Sequence, residues 1–234
     1  MFNVQRTCAE HETAKYLIEK GAIADAEYMK GVTPLHVAVQ HCKHKIVECL
    51  TEKGVNATAK DLKGVTPLHI AVQHAKHETV EYLIEKGTNV NAEDKNGATP
   101  LHVATEHAKH ETVEYLIEKG ASVNATDMIR VTPLHVAVQH AKHETVEYLM
   151  EKGASVNAKD KNGVTSLHVA VQHAKHETVE YLMEKGASVN AEDRKGVTPL
   201  HVAVQHGGMN GVTPLHVATE HANMKLFRIS QRIM

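Results

Sequence analysis

The tetrapeptide Thr-Pro-Leu-His begins at Thr33, Thr66, Thr99 and Thr132, returns as Thr-Ser-Leu-His at Thr165, and recurs intact at Thr198, each step 33 residues long. Full periods therefore run 33–65, 66–98, 99–131, 132–164 and 165–197. A unit of this length is too short to hold a hydrophobic core alone, so its apolar face has to be buried against the neighbouring unit. A partial unit occupies 1–32, where His11-Glu12-Thr13 matches His77-Glu78-Thr79. At 198–234 the pattern is truncated and irregular, because Gly207-Gly208-Met209-Asn210-Gly211 stands where a second helix belongs and Thr213 restarts the motif after 15 residues. The C-terminal end is therefore expected to fray first, from about Thr198 onward. No change of composition or linker divides the array, so a single domain spanning 1–234 is expected.

One period gives the local structure. Thr66 caps a helix whose first position is Pro67, where the missing N–H costs nothing. Leu68, Ala71, Val72 and Ala75 follow at i, i+3, i+4 and i+7 as one apolar stripe. A second helix is expected from about His77 to Lys86, with Val80, Leu83 and Ile84 inward. Glu78 and Lys86 complement its dipole, and Gly87 fits the left-handed position beyond the last turn. Between Thr88 and Ala98, Val90 and the turn signal Asn96-Gly97 predict an extended, hairpin-like loop. The fold class is an all-α repeat solenoid of stacked antiparallel helix pairs joined by β-hairpin-like loops.

At these residues the sequence resembles the ankyrin repeat family: Thr-Pro-Leu-His-x-Ala, then Val-x-x-Leu-hydrophobic, Gly-Ala and Val-Asn, on a 33-residue period. The resemblance implies a stack of helix pairs with protruding hairpins, a concave surface that binds other proteins, and no catalysis by the repeats. It also marks Asn91, Asn124, Asn157 and Asn190 as hairpin positions open to hydroxylation.

The chain departs from that pattern in several places. Where the family sets Gly between the two helices, this sequence has Cys42, Ala75, Ala108, Ala141 and Ala174. If the backbone there is left-handed, each costs roughly 1–2 kcal/mol; a different cap conformation would avoid the cost. Arg130 replaces the hairpin Gly in one unit, and Ser166 replaces the helix-initiating Pro in another.

Twenty histidines are the unusual feature of the composition. The seven motif histidines, His36, His69, His102, His135, His168, His201 and His216, fall in the first turn of a first helix, and the resemblance implies that they tie adjacent units together. A second series pairs His41 with His44, His74 with His77, His107 with His110, His140 with His143, and His173 with His176. His-x-x-His suggests a metal site, but each unit supplies two ligands. Its neighbours lie about 10 Å away, against Zn–N bonds of about 2.0–2.1 Å. A solvated polar turn is the simpler reading, and neither a metal nor a cofactor is expected. His74 to Glu78 straddles a helix break, unlike the metalloprotease motif that it superficially matches. No nucleophile elbow or phosphate loop occurs, so the chain is not expected to be an enzyme. The tyrosines Tyr16, Tyr82, Tyr115, Tyr148 and Tyr181 read as a half-buried ladder between units.

Net charge is −2, which gives no electrostatic footprint for nucleic acid or an anionic membrane. No apolar run reaches membrane-spanning length. Met1 to Lys15 contains no signal-like stretch, and the three cysteines (Cys8, Cys42, Cys49) do not make a disulfide framework. An intracellular, cytoplasmic monomer is the expectation.

The expected function is a non-catalytic protein–protein interaction scaffold. Two alternatives stay open: a histidine-rich metal- or pH-responsive binding module, and a degraded or fragmentary repeat protein without selected activity. On the family pattern, a partner protein would meet hairpin tips and the adjacent first-helix face. By position these are Leu62, Lys63, Val65, Gln73 and His74, then Lys95, Asn96, Ala98, Glu106 and His107. The next unit supplies Met128, Ile129, Arg130, Val131, Gln139 and His140, followed by Lys161, Asn162, Val164, Gln172 and His173. Met128-Ile129-Arg130 stands apart, because apolar side chains beside an arginine at an exposed tip have the character of an interface hot spot; the competing reading is a drifted hairpin whose Met and Ile fold back on their neighbours.

Overall fold

A computed structural model describes residues 2–74, 77–107, 109–140 and 142–207, with side chains described between 10 and 205. The long α1 (Phe2–Glu19) opens the chain, and a short 3₁₀ turn at Met29–Gly31 follows. Five helix pairs come next: α2 (Pro34–Gln40) with α3 (His44–Glu52), α4 (Pro67–His74) with α5 (His77–Glu85), α6 (Pro100–Glu106) with α7 (His110–Glu118), α8 (Pro133–Gln139) with α9 (His143–Glu151), and α10 (Ser166–Gln172) with α11 (His176–Glu184). The helix α12 (Pro199–Gly207) packs on α10. No strand forms among the described residues; the loops contain only isolated bridges, Tyr28 with Val32 and Lys159 with Thr165.

Helices of seven to nine residues are marginal alone, so packing has to hold them. It does so in columns. Leu35, Leu68, Leu101, Leu134 and Leu167 are buried on the first helices, and Leu50, Leu83, Leu116, Leu149 and Leu182 on the second. Val47, Val80, Val113, Val146 and Val179 lie beside them, and all belong to one continuous core. Ile84, expected inward, is half-buried at its edge. First helices contact each other more extensively along the stack than second helices do.

The capping expectations hold with one refinement: α5 ends at Glu85 rather than Lys86. Gly87 is left-handed, at φ 83°. At the inter-helix turn, Cys42 (φ 52°) and Ala174 (φ 51°) are left-handed too, so the strained alternative applies there. Ala75, Ala108 and Ala141 lie outside the described residues, as do Thr213 and most of the segment expected to fray.

Ser166 exposes the cost of losing the helix-initiating proline. Its side chain is fully buried and its hydroxyl has no hydrogen-bond partner. Pro34, Pro67, Pro100 and Pro133 occupy the equivalent first position of the other helices. Ser166→Pro removes an unsatisfied buried hydroxyl and restricts the unfolded chain. It should stabilise the fold by about 1 kcal/mol, seen as a higher melting temperature in a thermal scan; a lower one would show that the serine backbone cannot accept the ring.

Candidate interaction surface

The hairpin tips are carried on a backbone frame that begins at the motif histidines. In α2, the Thr33 backbone N–H donates to His36 Nδ1 at 3.2 Å, and the Thr33 hydroxyl oxygen lies 2.8 Å from the same nitrogen. An N–H can only donate, so Nδ1 must accept and the ring proton sits on Nε2. That proton is donated to the Val65 carbonyl of the next hairpin at 3.1 Å. The arrangement repeats from His69 to the Ala98 carbonyl, His102 to Val131, His135 to Val164 and His168 to Val197. The motif thus caps its own helix and ties on the next unit. The tie was expected; the cap follows from Thr-x-x-His matching the spacing of a capping box.

Each hairpin is then closed by an aspartate. Asp61 Oδ1 accepts the N–H of Lys63 and of Val65, at 2.8 and 2.9 Å. Asp94, Asp127, Asp160 and Asp193 do the same in their loops. Successive tips are laced together by single backbone bonds, from Lys95 N–H to the Lys63 carbonyl, Met128 to Asn96, Lys161 to Ile129 and Arg194 to Asn162, at 2.7–2.8 Å. At the opposite end of the loops, Asn91 donates to the Gly120 carbonyl and accepts from Ser122 N–H; Asn124 and Asn157 repeat that bridge. The sequence offered only the recurrence of these Asp and Asn positions as a signal for this lacing.

On that frame, Leu62, Lys63, Lys95, Asn96, Met128, Ile129, Arg130, Lys161 and Asn162 are exposed. So are Gln73, His74, Glu106, His107, Gln139, His140, Gln172 and His173 at the C-terminal ends of the first helices. Val65, Ala98, Val131 and Val164 are half-buried instead, with their backbones engaged by the aspartate and histidine bonds just described. Met128 and Ile129 are 71% and 51% exposed, so they do not fold back onto their neighbours. Arg130 holds φ 62°, a left-handed conformation that costs roughly 1–2 kcal/mol for a residue with a Cβ. The other tips use glycine there for a second reason: at Gly64, Gly97 and Gly163 an added Cβ would come within 2.7–3.0 Å of the next unit's backbone nitrogen.

The paired histidines of the inter-helix turn separate. His41, His74, His107, His140 and His173 are exposed, as a solvated turn requires. His44, His77, His110 and His143 are half-buried contacts between units, which corrects the reading of the whole pair as solvated. Each packs edge-on against the tyrosine of the next unit, with ring centroids 5.2–5.8 Å apart. His110 Nε2 lies 3.5 Å from Glu114 and 3.6 Å from Glu144 of the following unit. Tyr82, Tyr115, Tyr148 and Tyr181 form the expected half-buried ladder, each under a lysine ammonium one turn on, whereas Tyr16 is exposed. Among the described residues, no group of three or more His, Cys, Asp or Glu is placed to hold a metal ion. None of their helices is long and apolar enough to cross a membrane.

The family model described as ankyrin repeats (3 copies) matches residues 4–61, 56–127, 93–160 and 134–210. The chain belongs to the ankyrin repeat family. No curated protein matches it. Ankyrin repeats are in general protein–protein interaction modules and typically non-enzymatic. In this ankyrin array the repeats supply the rigid frame and the tips supply the variation between units.

The capping histidines make the frame sensitive to acid. Burial pushes His69, His102 and His135 below the usual imidazole range, and the bonds to the Ala98, Val131 and Val164 carbonyls only partly oppose it. Protonation at Nδ1 would also set a ring N–H against the threonine N–H. With folded pKa values below the unfolded value of about 6.5, the unfolded chain binds more protons in mildly acidic solution. Stability is full above that pH and declines as pH falls below it. The urea midpoint should drop between about pH 7.5 and about pH 5.5; equal midpoints would refute the assignment of neutral, proton-resistant histidines.

Proposed function

We propose that the chain is a non-catalytic scaffold that binds a partner protein through its hairpin tips and the exposed ends of its first helices. On this reading residues 1–234 act as one ankyrin-repeat domain, a monomer working inside the cell, with no cofactor. The observation that carries the proposal is the exposure of Met128 and Ile129 at the crest of a backbone-laced loop. Because the loop backbone is already fixed by its hydrogen bonds, covering these apolar side chains costs only their own rotamer freedom and no ordering of the loop. Lysine and asparagine at most other tips are easily solvated and make weaker anchors.

Affinity capture from the source cell, read by mass spectrometry, tests the surface. Ile129→Glu should weaken recovery of the partner at least about tenfold, or 1.4 kcal/mol, without lowering the melting temperature. Unchanged capture would move the binding surface to the Gln-His row of the first helices, at Gln73, His74, Gln139 and His140.

A further inference from the structure

We propose that the cleft beside Arg130 receives a carboxylate from an acidic, extended segment of the partner protein, with Met128 and Ile129 covering the apolar side chain next to it. The inference rests on the scaffold reading and adds the chemistry of what is bound.

The cleft opens among the hairpins at 127–130, 160–163 and 193–196 and has a volume of about 270 Å³. Arg130, Lys159, Lys161 and Arg194 line it. Lys159 Nζ is committed to the Glu192 carbonyl at 2.9 Å. Among the described residues, Arg130, Lys161 and Arg194 make no ion pair. Three acids share the cleft: Asp160, Glu192 and Asp193. Asp160 and Asp193 each spend Oδ1 on two backbone N–H groups. The Val197 N–H, first among several influences, holds the Asp193 carboxyl below the usual carboxylate range.

This balance selects the ligand. Cations outnumber acids and the two guanidinium groups offer planar forks suited to a carboxylate. With four cations against three acids the lining carries a net charge of +1, which a singly charged carboxylate neutralises and a phosphate, of nearly twice that charge, overshoots. Nucleic acid is disfavoured because these tips carry no aromatic side chain on which a base could stack. Apolar Met128 and Ile129 are exposed on the same tip as Arg130, which suits a side chain rather than a sugar-phosphate backbone. Units stack about 10 Å apart, a distance that an extended chain covers in about three residues. The bound segment should therefore carry acidic residues about three positions apart with a bulky apolar residue between them.

Arg130 itself supplies the independent argument. The fold does not require it, since glycine holds the same turn in the other units, and the left-handed backbone makes arginine the costlier choice. Strain kept at an exposed position beside unpaired cations points to use.

A library of random dodecapeptides selected on the intact chain tests this directly. The enriched peptides should be acidic with interspersed apolar residues, and their affinity, read by fluorescence anisotropy, should fall as salt rises. Arg130→Gly should weaken the best peptide at least tenfold while raising the melting temperature. Arg194→Gln should weaken it in the same direction. An affinity unchanged by Arg130→Gly overturns the proposal. So does enrichment of neutral or basic peptides; if those are still lost with Ile129→Glu, the tip surface of the scaffold reading survives, whereas binders indifferent to both substitutions overturn this proposal and move the binding surface to the first-helix ends. Tighter binding when phosphoserine replaces the acidic residues overturns the carboxylate assignment, and displacement of the peptide by single-stranded DNA overturns the choice of a protein partner.

Discussion

The neutral imidazole of the motif histidine is the interaction on which the rest depends. One ring nitrogen accepts from the threonine that begins its own helix, and the other donates to the carbonyl that ends the next hairpin. Local capping and long-range tethering are therefore one event, and neither nitrogen is left to accept a proton without losing a bond. A typical buried hydrogen bond contributes only about 1 kcal/mol net. Repeated from His36 to His168, however, such a bond fixes the register of each interface from the first full unit to α12. In a quasi-one-dimensional array, cooperativity is the sum of such interfaces, because no unit contacts anything beyond its neighbours.

That tether also explains how the hairpins stay ordered without a sheet. The histidine pins the residue after the tip, the aspartate folds the turn from within, and one backbone bond joins each crest to the next. Side chains at the crest are excluded from all three contacts. They are free to vary, and that is where the units differ most visibly: Leu62-Lys63, Lys95-Asn96, Met128-Ile129-Arg130, Lys161-Asn162. The helices, by contrast, are close to copies of one another.

The 33-residue period, the Thr cap with Pro at the first position and the inward Leu and Val positions were legible because each is a local rule applied many times. What stayed hidden required knowing the neighbour. Asn91 is an ordinary loop polar residue until its partner Gly120, 29 residues on, is placed against it. His74 and His77 look equivalent in sequence, yet one faces solvent and the other packs on Tyr115, because His74 ends α4 whereas His77 begins α5. At Cys42 and Ala174 the two cap conformations could not be separated by composition; the left-handed one prevails because both helices must still reach their columns in the core.

The same logic separates strain that the stack imposes from strain it does not. Cys42 and Ala174 sit between two packed helices, so the geometry of the turn is dictated and a poor residue is simply tolerated there. The strain at Arg130 sits at a crest tied to its neighbours through backbone, and the bond from the Lys161 N–H to the Ile129 carbonyl, like that from the Met128 N–H to the Asn96 carbonyl, does not involve its side chain. Glycine would make the bond equally well. An arginine there gains nothing for the stack, and its guanidinium lines a cleft with Lys161 and Arg194, which like it make no ion pair among the described residues. Position in the repeat thus divides an unfavourable backbone angle into two kinds, one explained by the core and one that the proposed partner contact accounts for.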